Sequence, residues 1–492
     1  MPELRIITGK KEKSVQFEGT PLVSEVLFAN GIKTLHPCGG RGVCGKCAIK
    51  AEGNLSCLTD AEIKHKTRLA CKTRLLGSAS VEVTEETEGF RIETDTDMET
   101  ALIDPMEGRY GAAADIGTTT VVLRLYNLKT GELLGTASAL NPQRAVAADV
   151  MGRIGAALSG RADEQRSMIE TTISGLLDEA CRKSGTDASE VGPMVITGNT
   201  TMLYLLTGTD TEKLSHAPFT MEEGFGGIYD VAGHAAYLPP CMFAFVGADI
   251  TCAILASGLT EKSGTAMLCD IGTNGETVLW KNGELFVTST AAGPAFEGAG
   301  ISCGCGSIPG AIDRVETDGG EIRVHTIDDA PATGVCGSGL IDAAAAFLQT
   351  GDVDFTGACE EDELPLENGV NLLPADIRSL QLAKAAIAAG IEIMLEQSGT
   401  KADEVTEFKI AGGFGSHLNI ASAVKIGLIP EELESNAHAV GNAALEGASM
   451  LLLNRSLTAV CGSIASKARH VDLGGNPRFN ERYIENMMFG EE

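Results

Sequence analysis

The sequence predicts an α/β protein of two architectures: a small β-grasp front over residues 1–84, and a large body built from a duplicated α/β unit. Three observations carry the prediction. The front reads as hairpin, helix, cysteine-rich loop and returning strands. From about residue 108, apolar runs ending in Gly/Thr turns alternate with helices. The turns of the body also recur: DIGTTT at Asp115–Thr120 returns as DIGTNGE at Asp270–Glu276, and ITGNTT at Ile196–Thr201 is echoed by IAGGFG at Ile410–Gly415.

At 492 residues the chain exceeds what one hydrophobic core supports, and two to four domains are expected. Hydrophobic residues at 43% and 59 glycines describe a globular composition rich in tight turns. No apolar run approaches the roughly 20 residues that span a bilayer, and the opening MPELRIITGKKEKS lacks the apolar core of an export signal, so a cytoplasmic protein with no membrane partner is expected. The net charge of −29 argues against a nucleic-acid partner, whose phosphates it would repel. Residues 1–84 hold 13 Lys and Arg against 8 Asp and Glu, a net of +5, which leaves −34 of the total −29 on the rest.

In the front, Leu4–Gly9 and Ser14–Gly19 read as a hairpin around KKEK, and Pro21–Asn30 as a helix opening at its proline. Strands at Ala48–Ala51 and Ser80–Thr84 follow the cysteine-rich loop. Residues 85–107 carry nine acids and one Arg without hydrophobic period, the composition of a linker. A flexible segment of that length spans about 25–30 Å, enough to let the front swing over the body. The body divides into halves at 108–264 and 265–492, with helices such as Asp163–Ser184 and Leu380–Gln397.

Cys38, Cys44 and Cys47 stand in PCGGRGVCGKC, a C-x5-C-x2-C spacing, and Cys71 follows in RLAC. Four thiolates from a Gly-rich loop and a returning segment suit a [2Fe-2S] cluster, with glycines letting backbone amides turn toward sulfur. A zinc knuckle is the competing reading of the C-x2-C pair, but zinc sites present two short-spaced pairs rather than a triplet and a distant single. Cys57 reads as a small packing residue.

In DIGTTT, Gly117 lets the backbone approach an anion, Thr118, Thr119 and Thr120 supply amides and hydroxyls, and Asp115 sits at the strand end facing the phosphates. Asp270, Gly272, Thr273 and Asn274 repeat that grammar. Two such loops can grip the β- and γ-phosphates of ATP while the two carboxylates orient hydrated Mg²⁺ and the attacking water. Gly412, Gly413 and Gly415 allow close approach of adenine or its ribose, and the chain holds no P-loop motif.

The duplicated pattern resembles the RNase H-like superfamily of acetate and sugar kinases, Hsp70 and actin. With the cysteine motif, NPQ at Asn141–Gln143, GPAFEG at Gly293–Gly298, VCGSGLID at Val335–Asp342 and GNAALEGA at Gly441–Ala448, nearly the whole chain resembles the reductive activators of corrinoid proteins. The resemblance implies a [2Fe-2S] ferredoxin domain with Cys38, Cys44, Cys47 and Cys71 as ligands. It further implies an actin-like ATPase domain that dimerises, an electron donor of low potential, and a corrinoid protein returned from Co(II) to Co(I). The linker leaves no room for the extra domain some members carry. Since plant-type [2Fe-2S] centres lie near about −400 mV and corrinoid reduction is harder still, a nucleotide cycle would supply the difference, with hinge closure between the halves as the bistable element.

Two other readings use the same residues. In activators of 2-hydroxyacyl-CoA dehydratases the cluster lies within the ATPase, which would make Cys303, Cys305 and Cys336 the ligands. A small-molecule kinase with a fused ferredoxin needs an acceptor pocket with a general base, and none is legible. The histidines, including His36 and His417, read as solvated or hydrogen-bonded side chains rather than cobalt ligands, and Gly293–Gly310 is a candidate docking loop or a crossover turn.

Overall fold

The computed structural model describes residues 2–8, 11–17, 19–30, 32, 47–83, 104–413 and 417–490. The chain divides into two units, Met1–Gly89 and Phe90–Glu492. Most of the 85–107 linker and His36 lie outside the described residues.

The first unit is a five-stranded sheet in which Glu3–Thr8 pairs antiparallel with Lys11–Gln16 and parallel with Leu75–Val83. Ala48–Leu55 and then Arg68–Leu69 complete it. The helix Val23–Ala29 covers one face and is tied to the loop before the last strand, Val23 N donating to Thr73 O at 2.9 Å and Ser24 N to Ala70 O at 3.1 Å. Leu4, Ile6, Val23, Leu27, Leu69, Leu75 and Val81 form the core. This is the expected β-grasp order, with two boundaries corrected. The Lys-rich stretch from Lys11 lies in a strand rather than a turn, because that strand is a sheet edge, where Glu12 and Lys13 remain in water. The returning strand begins at Leu75, five residues before the expected Ser80.

The second unit contains two six-stranded sheets of one topology. In the first half, Tyr110–Ile116, Thr120–Asn127 and Leu133–Leu140 form an antiparallel meander; Val191–Gly198 lies parallel beside its first strand, and His234–Leu238 beyond that. In the second half, Thr265–Ile271, Gly275–Lys281 and Glu284–Thr290 repeat the meander, with Val405–Ala411 and Ala437–Gly441 in the two parallel positions. Both sheets thus read 3-2-1-4-5, each with one added edge strand.

The duplication extends to atoms. A Cβ placed on Gly198 would stand 2.8 Å from the carbonyl oxygen of Ile116, and one on Gly412 would stand 2.2 Å from that of Ile271. At both fourth strands the backbone crosses the end of the first strand too closely for a side chain.

One core belongs to each half, and a third is shared, drawing Ala113, Val122 and Ile250 from the first half and Leu268, Val278, Leu445 and Leu452 from the second. The helices Ala248–Ser257 and Ala443–Leu453, each following its half's fifth strand, meet there, and a Cβ on Gly447 would fall 2.1 Å from the Cys252 carbonyl oxygen. The helix expected at Leu380–Gln397 starts earlier, at Pro374, since proline suits the first helical position and Asp376 accepts the Leu373 amide at 2.9 Å. The expected helix at Asp163–Ser184 is observed as Ala162–Ser184. No helix among the described residues is long and apolar enough to cross a membrane.

Candidate functional site

In the first unit Cys47 precedes the strand Ala48–Leu55, and Cys71 lies in the loop after Arg68–Leu69. Ala70 N donates to Cys47 O at 2.8 Å, which locks the two segments together. Both cysteines are buried, and their sulfurs stand 3.2 Å apart. That exceeds the roughly 2.05 Å of a disulfide and approaches the ~3.8 Å between two thiolates on one tetrahedral metal at ~2.3 Å. The pair therefore fits an iron–sulfur centre; Cys38 and Cys44 lie outside the described residues.

A buried carboxylate braces this loop. Glu62, 1% exposed, accepts from Thr59 N at 2.8 Å, Thr59 Oγ1 at 2.9 Å, Leu69 N at 3.3 Å and Thr73 Oγ1 at 2.6 Å. Burial pushes its carboxyl up, but the Thr59 amide and the Thr73 and Thr59 hydroxyls outweigh it, leaving the group below the usual range. Sequence reasoning missed Glu62, whose TDAE setting reads only as a helix start.

In the second unit each loop between first and second strands is tied on both sides. Gly117 N donates to Thr120 O at 2.9 Å, and Gly117 O accepts from Asn141 Nδ2 at 2.8 Å. Thr118 Oγ1 accepts from Asn199 Nδ2 at 3.1 Å, while Thr118 O accepts from the fully buried Arg153 at 2.6 Å. The second loop closes one residue sooner, with Gly272 N donating to Asn274 O at 2.9 Å. Each loop is also held from the segment after its meander: Thr119 O accepts from Asn141 N, and Thr273 O, one position earlier in its loop, from Gly293 N, both at 2.8 Å. Gly412 N donates to Gly441 O at 3.2 Å, a Cβ on Gly413 would meet open space, and Gly415 lies outside the described residues.

Asp115 and Asp270 lie at the ends of equivalent strands, and the charge of Asp115 acts on Asp270. Burial raises the Asp115 carboxyl to about 6, against a hydrogen bond from Asn442 Nδ2 at 3.0 Å. Burial, then the charges of Asp115 and Glu297, raises Asp270 to about 7. Two further carboxylates join them. Burial, Asp270 and Asp115 lift Asp249, in the first turn of Ala248–Ser257, to about 8. Glu276, directly across the strand pair from Asp270, is held well above the usual range by burial and by Asp249 and Asp270.

No cationic side chain among the described residues offsets these four groups. Buried anions without a counter-charge call for a cation. No three His, Cys, Asp or Glu among the described residues converge as a ligand cage. Mg²⁺, which keeps several of its waters and uses only one or two carboxylates beside phosphates, suits the uncompensated set.

Glu297 accepts from Thr119 Oγ1 at 2.5 Å and from Thr273 Oγ1, so one carboxylate touches both loops. Sequence reasoning gave no role to Asp249, Glu276, Glu297, Asn199, Asn442 or Arg153. Asn199, Glu276, Glu297 and Asn442 sit inside motifs it had noted. Asp249 and Arg153 had no such signal.

Of the three cysteines in the dehydratase-activator reading, Cys336 is buried with its sulfur 3.3 Å from Ser338 Oγ, while Cys303 and Cys305 flank a backbone pairing with Val335. They form no ligand cage among the described residues.

Comparison with known proteins places residues 6–76 in the 2Fe-2S iron-sulfur cluster binding domain, 110–262 in the RACo middle region, and 264–492 in the C-terminal domain of RACo, the ASKHA domain. The corrinoid activation enzyme RamQ of Eubacterium limosum is 33% identical over 423 residues, covering 78% of this chain and 70% of that one. The [Co(II) methylated amine-specific corrinoid protein] reductase of Methanosarcina barkeri is 26% identical over 417 residues, 76% of each chain. A solved reductive activator for a corrinoid, iron-sulfur protein superposes with a TM-score of 0.75 at 27% identity, covering 99% of this chain and 98% of that one. With the duplicated nucleotide fold and the paired buried thiols, these likenesses show that the chain belongs to the family of reductive activators of corrinoid proteins.

Proposed function

We propose that the protein returns a corrinoid protein from Co(II) to Co(I) in a methyl-transfer system, at the expense of ATP. The observation that carries this reading is the joining, in one chain, of a buried thiol pair at Cys47 and Cys71 to a duplicated nucleotide cleft lined by uncompensated carboxylates. The relatives named for corrinoid activation and Co(II) corrinoid reduction support the choice of partner.

Cys38, Cys44, Cys47 and Cys71 would hold the [2Fe-2S] cluster, which supplies one-electron transfer at low potential. Glu62 keeps the Cys71 loop folded against the sheet. In the body, Gly117 and Gly272 shape the turns from which Thr118, Thr119, Thr273 and Asn274 would present hydroxyls and amides to the phosphates, while Gly412, Gly413 and Gly415 would leave room for the adenosine. Asp115 and Asp270, with Asp249 and Glu276 beside them, hold hydrated Mg²⁺ and orient the attacking water.

The loops come from opposite halves, so gripping one nucleotide draws the halves together about the helices that cross at Gly447 and Cys252. Such closure can drive an uphill electron transfer only if open and closed forms differ in affinity for the partner. The same reading includes an 85–107 linker, pairing of two copies through the body, a low-potential donor and a cytoplasmic setting.

Anaerobic reconstitution tests it. Reduced protein should give the EPR signal of a [2Fe-2S] centre, and Cys44→Ser should abolish it while MgATP still binds. Zinc in place of iron would defeat the reading.

A further inference from the structure

Glu297 closes the short turn Pro294–Glu297, and its Oε2 accepts from Thr119 Oγ1 at 2.5 Å and from Thr273 Oγ1. Thr119 belongs to the first half's loop and Thr273 to the second's. A single anionic oxygen is thus held by hydroxyls that converge from both sides of the cleft, as an oxygen of a phosphate would be. Glu297 is only partly buried and lies in a turn, so its side chain can leave without unfolding the core.

We propose that Glu297 is an internal competitor for the terminal phosphate of ATP: its carboxylate holds the two loops together in the nucleotide-free protein, and MgATP has to displace it. This rests on the assignment of the cleft to ATP. Two anions cannot share the same donors beside Asp270, whose carboxyl already responds to the charge of Glu297. ADP lacks the terminal phosphate and leaves Glu297 in place. Glu297 therefore sets the balance between ATP and ADP.

Displacement also has a route outward. A Cβ on Gly298 would lie 2.5 Å from Cys305 O and 2.7 Å from Cys305 N, so the turn is in backbone contact with the next segment. That segment pairs with Val335, Cys305 N donating to Val335 O and Val335 N to Cys303 O, both at 2.9 Å. Moving Glu297 shifts the Gly293–Gly310 loop, which makes that loop's position report which nucleotide is bound.

Calorimetric titration of the full chain with Mg-AMPPNP and with MgADP, for the native protein and Glu297→Gln, tests the proposal. Glu297→Gln should bind AMPPNP about tenfold more tightly and ADP within about twofold of native. Weaker binding of both nucleotides, or no change in either, overturns it. Hydrogen exchange on the unmodified protein gives a second reading, through the Gly298 and Ala299 amides that donate to Ala295 O and Pro294 O. Their exchange should quicken with Mg-AMPPNP and not with ADP; slower exchange with AMPPNP overturns the proposal. A native protein that binds neither nucleotide overturns the ATP assignment as well.

Discussion

Asn442 Nδ2 lies 3.0 Å from Asp115 Oδ2, and Asn442 Oδ1 at the same time accepts the Leu445 amide at 2.9 Å. One side chain therefore caps the helix Ala443–Leu453 of the second half and fixes a carboxylate of the first half. That contact joins the halves beside their shared core, and it favours the ionised form of Asp115.

Asn442→Ala removes a hydrogen bond to a charged group, worth about 1.5–3 kcal/mol. Steady-state ATP hydrolysis should fall about tenfold or more, and the effect of the Asn442→Ala, Asp115→Asn pair should be smaller than the product of the single effects. Independent, multiplying effects would mean that the two residues do not act together.

The Arg124–Glu446 pair, 2.6 Å apart with side chains 6% and 12% exposed, joins the halves a second time. Glu446→Gln leaves Arg124 charged and buried, a loss of about 3–5 kcal/mol, whereas Arg124→Met with Glu446→Leu should recover most of it. Denaturant unfolding of the three proteins checks the order.

Asp115, Asp270 and Asp249 all titrate above the unfolded range, at about 6, 7 and 8. Between about pH 4 and pH 8 the folded protein therefore binds more protons than the unfolded chain, so stability without nucleotide falls as pH rises through that window. Mg²⁺ with a nucleotide analogue should flatten the slope by neutralising the cluster. Melting temperatures from pH 5.5 to 8.5, with and without Mg-AMPPNP, measure both slopes; a nucleotide-free slope that rises with pH would contradict the carboxylate account.

Glu62 behaves oppositely. Its carboxyl is depressed, so its contribution is present above the unfolded value and is lost as pH falls through the folded one. Glu62→Gln should loosen the Leu69–Thr73 loop and speed cluster loss, read as the iron-to-protein ratio after anaerobic desalting. Retention equal to native would show that the brace is dispensable.

The repeated strand-turn-strand units were legible because phosphate loops demand glycine and a strand-end carboxylate at fixed places, so DIGTTT and DIGTNGE announce themselves. Asp249 and Glu276 were not, because a helix-start Asp and a mid-strand Glu are ordinary until the sheet order brings them beside Asp270. The start of the helix Pro374–Gln397 was obscured because its first turns, PADIRS, show no apolar period, and the capping Asp376 also accepts Ser302 N at 2.8 Å, a partner 74 residues away. Arg153 reads as a surface cation, yet it is buried behind the first loop, donating to Thr118 O at 2.6 Å and Gln143 Oε1 at 3.2 Å. Only long-range packing determines that.

The central claim is that electrons leave the four-cysteine centre for cobalt only when the cleft holds nucleotide. Its most direct test is a single-turnover experiment with the reduced full chain and a Co(II) corrinoid protein, following the optical appearance of Co(I) with and without MgATP and with Asp270→Asn. Co(I) should form at native rate only with MgATP, and about a hundredfold or more slower in the variant. Equal rates with and without MgATP would contradict the account.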